Sequence, residues 1–127
     1  MQAPYQIVLN KSDGMIIVRL AGFWDEATLG QFATDVLREL AGLGLPDGQH
    51  VALINLDNLA VQSQTVIASI GQLVEHGPNR PRKMAFVVGH EGLARLQFRR
   101  LVRPPNIAMF DTDELAKSWL LGDSTMF

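Results

Sequence analysis

The stretch LINLDNLAVQSQTVIASIG, residues 53–71, decides the fold because it joins an apolar run, a polar loop and an amphipathic segment in that order. HVALINL, which contains its first residues, is almost continuously apolar, as is typical of a central strand that is covered on both faces. After the loop, apolar residues recur at the spacing of one helical face. A buried strand followed by a helix is therefore predicted. The residues of the apolar face are Val66, Ile67, Ile70, Leu73 and Val74.

Apolar runs on both sides of this unit predict further strands. YQIVLN and MIIVRLAG are separated by KSDG, in which Asp13 and Gly14 favour a hairpin turn because glycine tolerates positive φ. MAFVVG is predicted to be another buried strand, and NIAMF a short last one. The tail GDSTMF is predicted to be loose.

Three further helices are predicted, in DEATLGQFATDVLREL, EGLARLQFRRLVR and DTDELAKSWLL. Asp25 is predicted to cap the first of them. Asp111 and Glu114 have the spacing of a capping-box variant at the start of the last. The predicted inward residues are Leu29, Phe32, Ala33, Val36, Leu37 and Leu40 in the first helix, Ala94, Phe98, Leu101 and Val102 in the second, and Leu115, Ala116, Trp119 and Leu120 in the last.

The predicted order of elements is ββαβαβαβα. Strands that alternate with helices pair in parallel through right-handed crossovers, whereas the opening hairpin adds one antiparallel pair. We therefore expect an α/β fold, a single domain over residues 1–127 with its core at about residues 5–121. Its sheet should be mixed, mostly parallel and of about five strands, with four helices.

The composition excludes several classes of protein. The chain has no cysteine, and therefore no disulfide, thiolate metal site or cysteine nucleophile. His50, His76 and His90 lack metal-ligand spacing, and no nucleophile–base set or phosphate-binding loop is visible. We expect no catalysis, no cofactor and no bound transition metal. Without a signal peptide or a long apolar run, the expected protein is soluble and cytoplasmic, with no membrane insertion and no nucleic-acid partner.

Basic residues are concentrated in one segment of the chain. Residues 80–103 hold seven of the 11 basic residues and one acidic residue, so this segment carries +6 and the remainder −8. Arg95, Arg99 and Arg103 are spaced by four and would line one face of the third predicted helix. That face is either solvated and neutralised by acids from elsewhere, or a docking face for an acidic partner or anionic surface.

The order of elements and the stretch VRLAGFWDEAT resemble the STAS domains, a family of anti-sigma-factor antagonists and sulfate-transporter tails. In that family a Gly-x-Leu-Asp turn leads from the second strand into the first helix. Gly22, Phe23, Trp24 and Asp25 occupy this pattern, with tryptophan in place of leucine. The ending NIAMFDTDELAKSWL resembles in particular the SpoIIAA-like subgroup of bacterial STAS proteins.

The resemblance implies a non-enzymatic regulatory module that binds an anti-sigma factor or a related signalling protein. It also implies a partner surface at the loop and the start of the second helix. Trp24 would add an anchor to that surface if it is exposed, whereas Phe23 is expected in the core. A homodimer is left open. The residues predicted for the surface are Asp57, Asn58, Ser63, Gln64 and Thr65.

The phosphorylation signature of the family is altered in this chain. STAS phosphoswitch proteins carry Asp-Ser-Ser/Thr-Gly at the start of the second helix, where this chain has VQSQTVIAS. Ser63 and Thr65 are the remaining candidate phosphoacceptors. The simpler interpretation is that the Ser63 hydroxyl caps the helix. Asp57 and Asn58 can likewise bind a ligand or form an Asx-turn, and the turn is favoured.

The alternative function is that of a carrier for a small hydrophobic, lipid-like ligand, because the SpoIIAA-like fold is similar to the lipid-binding CRAL-TRIO domains. The two functions predict different interiors. An empty apolar cavity beneath the helices would favour a carrier, and a packed core with a polar loop would favour a partner-binding module.

Overall fold

The structure is a computed structural model that describes residues 3–122; the predicted loose tail lies, from residue 123 onward, outside this range. The elements of the described range follow the predicted order. The strands are β1 (Tyr5–Asn10), β2 (Met15–Gly22), β3 (Val51–Leu59), β4 (Lys83–Val87) and β5 (Ile107–Phe110). The helices are α1 (Glu26–Leu40), α2 (Gln64–His76), α3 (Arg95–Arg99) and α4 (Asp113–Leu120).

The five strands lie in the sheet in the same order as in the chain, β1-β2-β3-β4-β5. β1 pairs antiparallel with β2 through the predicted hairpin, and every later pair is parallel. Gly14 supplies the positive φ of the hairpin turn, at +61°. β3 is the central strand, as its apolar run predicts, and the mixed α/β fold is confirmed.

This strand order determines which face each helix covers. Crossovers of one hand that always step in the same direction leave their helices on the same side of the sheet. Accordingly, Phe32 of α1, Ile70 of α2 and Phe98 of α3 belong to one buried cluster. α4 follows the last strand and packs on the opposite face, where Ala116 and Leu120 contact a second cluster. The second face is thus covered by a helix of only eight residues.

Two of the three helix caps examined in the sequence form as predicted. The carboxylate of Asp25 accepts a hydrogen bond from the Thr28 N–H at 2.8 Å. The cap of α4 is a correction, because Thr112 and not Asp111 accepts from the N–H of Leu115, at 3.2 Å. Asp111 is held instead by Arg95, as described below. Leu115, predicted to face inward, is 55% exposed, whereas its neighbour Ala116 is buried.

The third helix is much shorter than the sequence predicts. α3 spans five residues, Arg95–Arg99, instead of the 13 residues of EGLARLQFRRLVR. Beyond it the backbone of Arg103 exchanges two hydrogen bonds with Ile107, at 3.2 and 3.0 Å. These bonds form an isolated antiparallel bridge beside β5 and take backbone groups that a longer helix would have used.

Candidate functional site

A buried glutamine organises the loop between β3 and α2. Gln62 is 4% exposed, and its side-chain oxygen accepts from the Trp24 N–H at 2.8 Å. Its side-chain nitrogen donates to the carbonyls of Gly22 and Ala60, at 2.9 and 2.7 Å. Its backbone N–H donates to the side-chain oxygen of Gln97 at 2.7 Å. Gln62 therefore joins the ends of β2 and β3 to α3.

The start of α2 presents polar side chains to solvent. Ser63 caps the helix as predicted, its hydroxyl accepting from the Val66 N–H at 3.1 Å. Ser63, Gln64 and Thr65 are all exposed. The hydroxyl of Ser63 is thus engaged and still reachable from solvent.

Asp57 and Asn58 lie inside β3 and not after it, and both are exposed. The Asp57 carboxylate accepts from the Gly89 N–H at 2.9 Å and so ties β3 to the loop after β4. The turn-like hydrogen bond belongs to Asn55, whose side-chain oxygen accepts from the N–H of Asp57 at 3.0 Å. The Asx-turn therefore forms at Asn55, two residues before Asp57, and not at Asp57 or Asn58 as predicted.

Phe23 and Trp24 are adjacent aromatic residues, and the structure buries Trp24, which was predicted as a possible anchor of the partner surface. Trp24 is 2% exposed and donates its indole N–H to the Ala21 carbonyl at 2.9 Å. Its ring packs against Tyr5 and Phe32, with centroids 5.8 and 5.3 Å away. Trp24 as a partner-binding residue is thus a wrong prediction, because its surface is used within the fold. Phe23, predicted to be in the core, is 69% exposed.

Exposed apolar side chains surround the Gln62 network. Phe23 and Val61 are chain neighbours of residues that Gln62 joins, and Leu96 precedes Gln97. Because the parallel strands end at the same edge of the sheet, these side chains share that edge with the start of α2. We call this region the carboxyl-edge surface. Its residues are Phe23, Val61, Leu93 and Leu96, with Ser63, Gln64 and Thr65.

The predicted stripe of Arg95, Arg99 and Arg103 does not form. Because α3 ends at Arg99, Arg103 is not on its surface. Arg95 donates to the Val88 carbonyl at 2.7 Å and to the Asp111 carboxylate at 3.1 Å. Arg103 lies 3.5 Å from Glu75 on α2. Arg95 and Arg103 thus pair with different carboxylates. The prediction that Arg95, Arg99 and Arg103 form one docking face is therefore wrong.

An apolar cavity of about 150 Å³ lies between the sheet and the helices α1 and α2. The lining residues that are themselves exposed, Leu37, Pro78 and Arg80, place its opening between the end of α1 and the loop after α2. The opening of the cavity thus lies at the edge of the sheet opposite to the carboxyl-edge surface, although Trp24 and Phe98 also contribute to its walls. Its apolar walls include Val18, Val36, Ile54, Val74 and Met84.

His50 is the polar residue in the wall of this cavity that is most deeply buried, at 3% exposure. Burial lowers the pKa of its imidazole, and the negative charge of Asp47 only partly opposes that effect. Within residues 3–122, no three histidine, aspartate or glutamate side chains are grouped closely enough to hold a metal ion. No helix of the same range is long and apolar enough to span a membrane.

Known proteins were compared with this chain at the levels of sequence and structure. No protein-family model matches the sequence, and no curated protein matches it. An uncharacterised protein of the DUF3478 family with a SpoIIAA-like fold, from Shewanella loihica, is similar in structure. It has a TM-score of 0.62 and 19% identity, and the match covers 91% of each chain.

An anti-sigma factor antagonist from Mycobacterium paratuberculosis is also similar, with a TM-score of 0.59 and 15% identity. That match covers 94% of this chain and 98% of the other. At such identities the likeness is one of fold. The chain has a SpoIIAA-like fold, as the sequence predicts.

Several residues of the carboxyl-edge surface and of the apolar cavity were not predicted from the sequence. Leu93 and Leu96 fall outside the inward face predicted for the third helix, and this was a usable signal for an exposed apolar patch. The roles of Gln62 and Gln97 had no such signal, because a single glutamine in a loop is ordinarily solvated. His50 adjoins the buried strand, but nothing in its neighbours indicates a cavity.

Proposed function

We propose that this chain is a non-enzymatic, cytoplasmic regulatory module that binds a protein partner through the carboxyl-edge surface. The observation that carries the proposal is the exposure of Phe23, Leu93 and Leu96 beside a polar helix start. Exposed apolar side chains that share one region and are rimmed by polar residues mark sites of protein interaction. Leu93 and Leu96 are 72% and 71% exposed.

The rigidity of this surface supports the same proposal. Phe23 and Val61 lie next to residues that Gln62 fixes by hydrogen bonds, and Leu96 lies next to the Gln97 that holds the loop. Side chains on a fixed backbone lose less conformational entropy when a partner binds. The exposed Ser63, Gln64 and Thr65 supply a polar rim, which is the common arrangement around apolar anchors.

The proposed partner class is that of anti-sigma factors and related signalling proteins. Its support is the similarity of fold to the anti-sigma factor antagonist from Mycobacterium paratuberculosis. In this proposal Asp57 acts indirectly, because its carboxylate holds the Gly89 N–H and so positions the loop that leads to Leu93.

The proposal is tested with the purified chain as bait in lysate of its native host, followed by identification of the captured proteins. The Leu96→Asp variant should lose a captured anti-sigma or signalling protein. Leu115→Asp is the matched control, since Leu115 is 55% exposed but lies on α4, on the other face of the sheet. Retention of the same protein by the Leu96→Asp variant contradicts the proposal. Sedimentation of both variants shows whether the surface also forms a homodimer.

A carrier of a small hydrophobic ligand is the second candidate, and the apolar cavity favours it. At about 150 Å³ the cavity is smaller than the ~300–1,000 Å³ of ordinary ligand pockets. Its size therefore favours a compact molecule over a long lipid. Organic extraction of protein purified from its native host, followed by mass spectrometry, tests whether such a molecule accompanies the chain.

A further inference from the structure

One polar side chain in the wall of the apolar cavity makes no hydrogen bond within residues 3–122. Three polar side chains contribute to its wall, those of His50, Asn79 and Arg80. Asn79 accepts a hydrogen bond from the Gly48 N–H at 2.8 Å, and Arg80 donates to the carbonyl of Glu75. The ring of His50 has no hydrogen bond to any group in residues 3–122.

The ring nitrogens of His50 are not completely buried. Within residues 3–122, no fully buried side-chain nitrogen or oxygen lacks a hydrogen bond. Since the His50 ring has none, its nitrogens must keep some accessible surface, although the residue is only 3% exposed. Because His50 is one of the residues that line the cavity, a molecule bound there would lie beside this ring. Polar groups in a largely buried position usually have a hydrogen-bond partner, so the His50 ring is available to pair with a ligand or a water.

The chemistry of this group limits what it can bind. Burial holds the imidazole neutral near pH 7, because it lowers the pKa of His50. A neutral imidazole has one N–H donor and one nitrogen acceptor. Around it the wall is almost wholly aliphatic and aromatic, and such a wall disfavours a buried charge. The site therefore suits an uncharged molecule with one hydrogen-bonding group.

We propose that the apolar cavity binds a compact, uncharged, mainly apolar molecule whose single hydroxyl group pairs with His50. The size of the cavity supports a ligand of one ring, since a space of about 150 Å³ lined by apolar side chains holds benzene. A phenol has this size and this polar group. The inference rests on the carrier function and not on the partner surface.

The test is a titration of the ¹⁵N-labelled chain with phenol and with toluene, followed by NMR. Phenol should shift the amide signals of residues around the cavity in a saturable way and bind about tenfold more tightly than toluene, as expected for one buried hydrogen bond. In the His50→Leu variant this preference should vanish, while toluene still binds. His76→Leu is the matched control, because His76 is exposed and outside the cavity; it should keep the preference.

A second variant separates the cavity from the hydrogen bond. Ala33 lines the cavity, and Ala33→Phe should fill it, abolishing the binding of both compounds while the melting temperature is maintained. If this variant does not fold, Val36→Phe fills the same space from the next turn of α1. Absence of saturable shifts with either compound in the unmodified chain overturns the carrier function as well. Equal affinities for phenol and toluene overturn only the role of His50.

Discussion

Gln97 pairs with the backbone of Gln62 as a peptide group does in a sheet. Its side-chain oxygen accepts from the Gln62 N–H at 2.7 Å, and its side-chain nitrogen donates to the Gln62 carbonyl at 2.9 Å. This pair connects the loop before α2 to α3, which otherwise has only five residues to hold it in place. These two hydrogen bonds therefore fix the backbone of the loop and of α3, from which the carboxyl-edge surface projects.

Replacement of Gln62 by leucine should destabilise the fold by about 2–3 kcal/mol. The change leaves the Trp24 N–H and the carbonyls of Gly22 and Ala60 without partners, and unsatisfied buried groups are costly. Urea unfolding followed by circular dichroism measures the loss. Gln64→Leu is the control, because Gln64 is exposed and should change stability by less than ~0.5 kcal/mol. Equal effects of the two changes would refute the role of the network.

Ser63→Ala should lower the free energy of unfolding by about 1 kcal/mol, since the variant loses the hydroxyl that caps α2. Ser63→Asp should be tolerated, because aspartate also caps helices. Thr65→Ala, one residue inside the helix, serves as the control. Mass spectrometry of protein from the native host checks the other prediction for this residue. A phosphate on Ser63 there would show that its exposed hydroxyl is also a phosphoacceptor.

Asp113 should make stability depend on pH in the acid range. Burial would raise the pKa of Asp113, but hydrogen bonds from Arg19 and Asn55 outweigh it, and the pKa is lowered. A carboxyl with a lowered folded-state pKa stabilises fully above its unfolded value of about 3.9 and less as the pH falls through its folded value. Asp113→Asn should thus be less stable than the unmodified chain at pH 7, and the difference should shrink as the pH falls below the unfolded-state value of about 3.9. Thermal melts over this range measure it; a constant difference would contradict the electrostatic cause.

Arg95 should contribute more to stability than Arg99, although the sequence places them on the same helical face. Arg95 holds the Val88 carbonyl and the Asp111 carboxylate, whereas Arg99 is exposed and its side chain has no such bond to the residues that the structure describes. Arg95→Gln should cost about 1 kcal/mol and Arg99→Gln less than ~0.5 kcal/mol. Urea unfolding compares them directly. If the two variants are equally stable, the contacts of Arg95 are without net effect.

The order and type of the elements could be predicted because they depend on local periodicity. The run before Asp57 and the stripe around Ile70 each carry a strong signal, and the caps at Asp25 and Ser63 need only neighbouring residues. The length of α3 could not be predicted in this way. The residues after its end form an isolated bridge between Arg103 and Ile107. The periodicity of apolar residues along a helix cannot indicate such a contact.

The candidate regions were less predictable, because burial of single side chains is a property of the assembled fold. Phe23 and Trp24 are adjacent and both aromatic. Trp24 enters the core because its ring packs against Tyr5 and Phe32. The cavity beside His50 is lined by side chains from many parts of the chain. Its presence therefore cannot be predicted from any short stretch of sequence.

Because the order of strands in the sheet repeats their order in the chain, the sheet can grow by one edge strand at a time during translation. Each new strand finds its partner already made, and α1 and α2 can cover the first face as they emerge. The second face, with Leu53 and Val87, stays bare until α4 has been synthesised and Asp113 has met Arg19 and Asn55. A ribosome stalled before residue 113 would therefore display an apolar sheet surface, and such nascent chains are the ones that chaperones should hold.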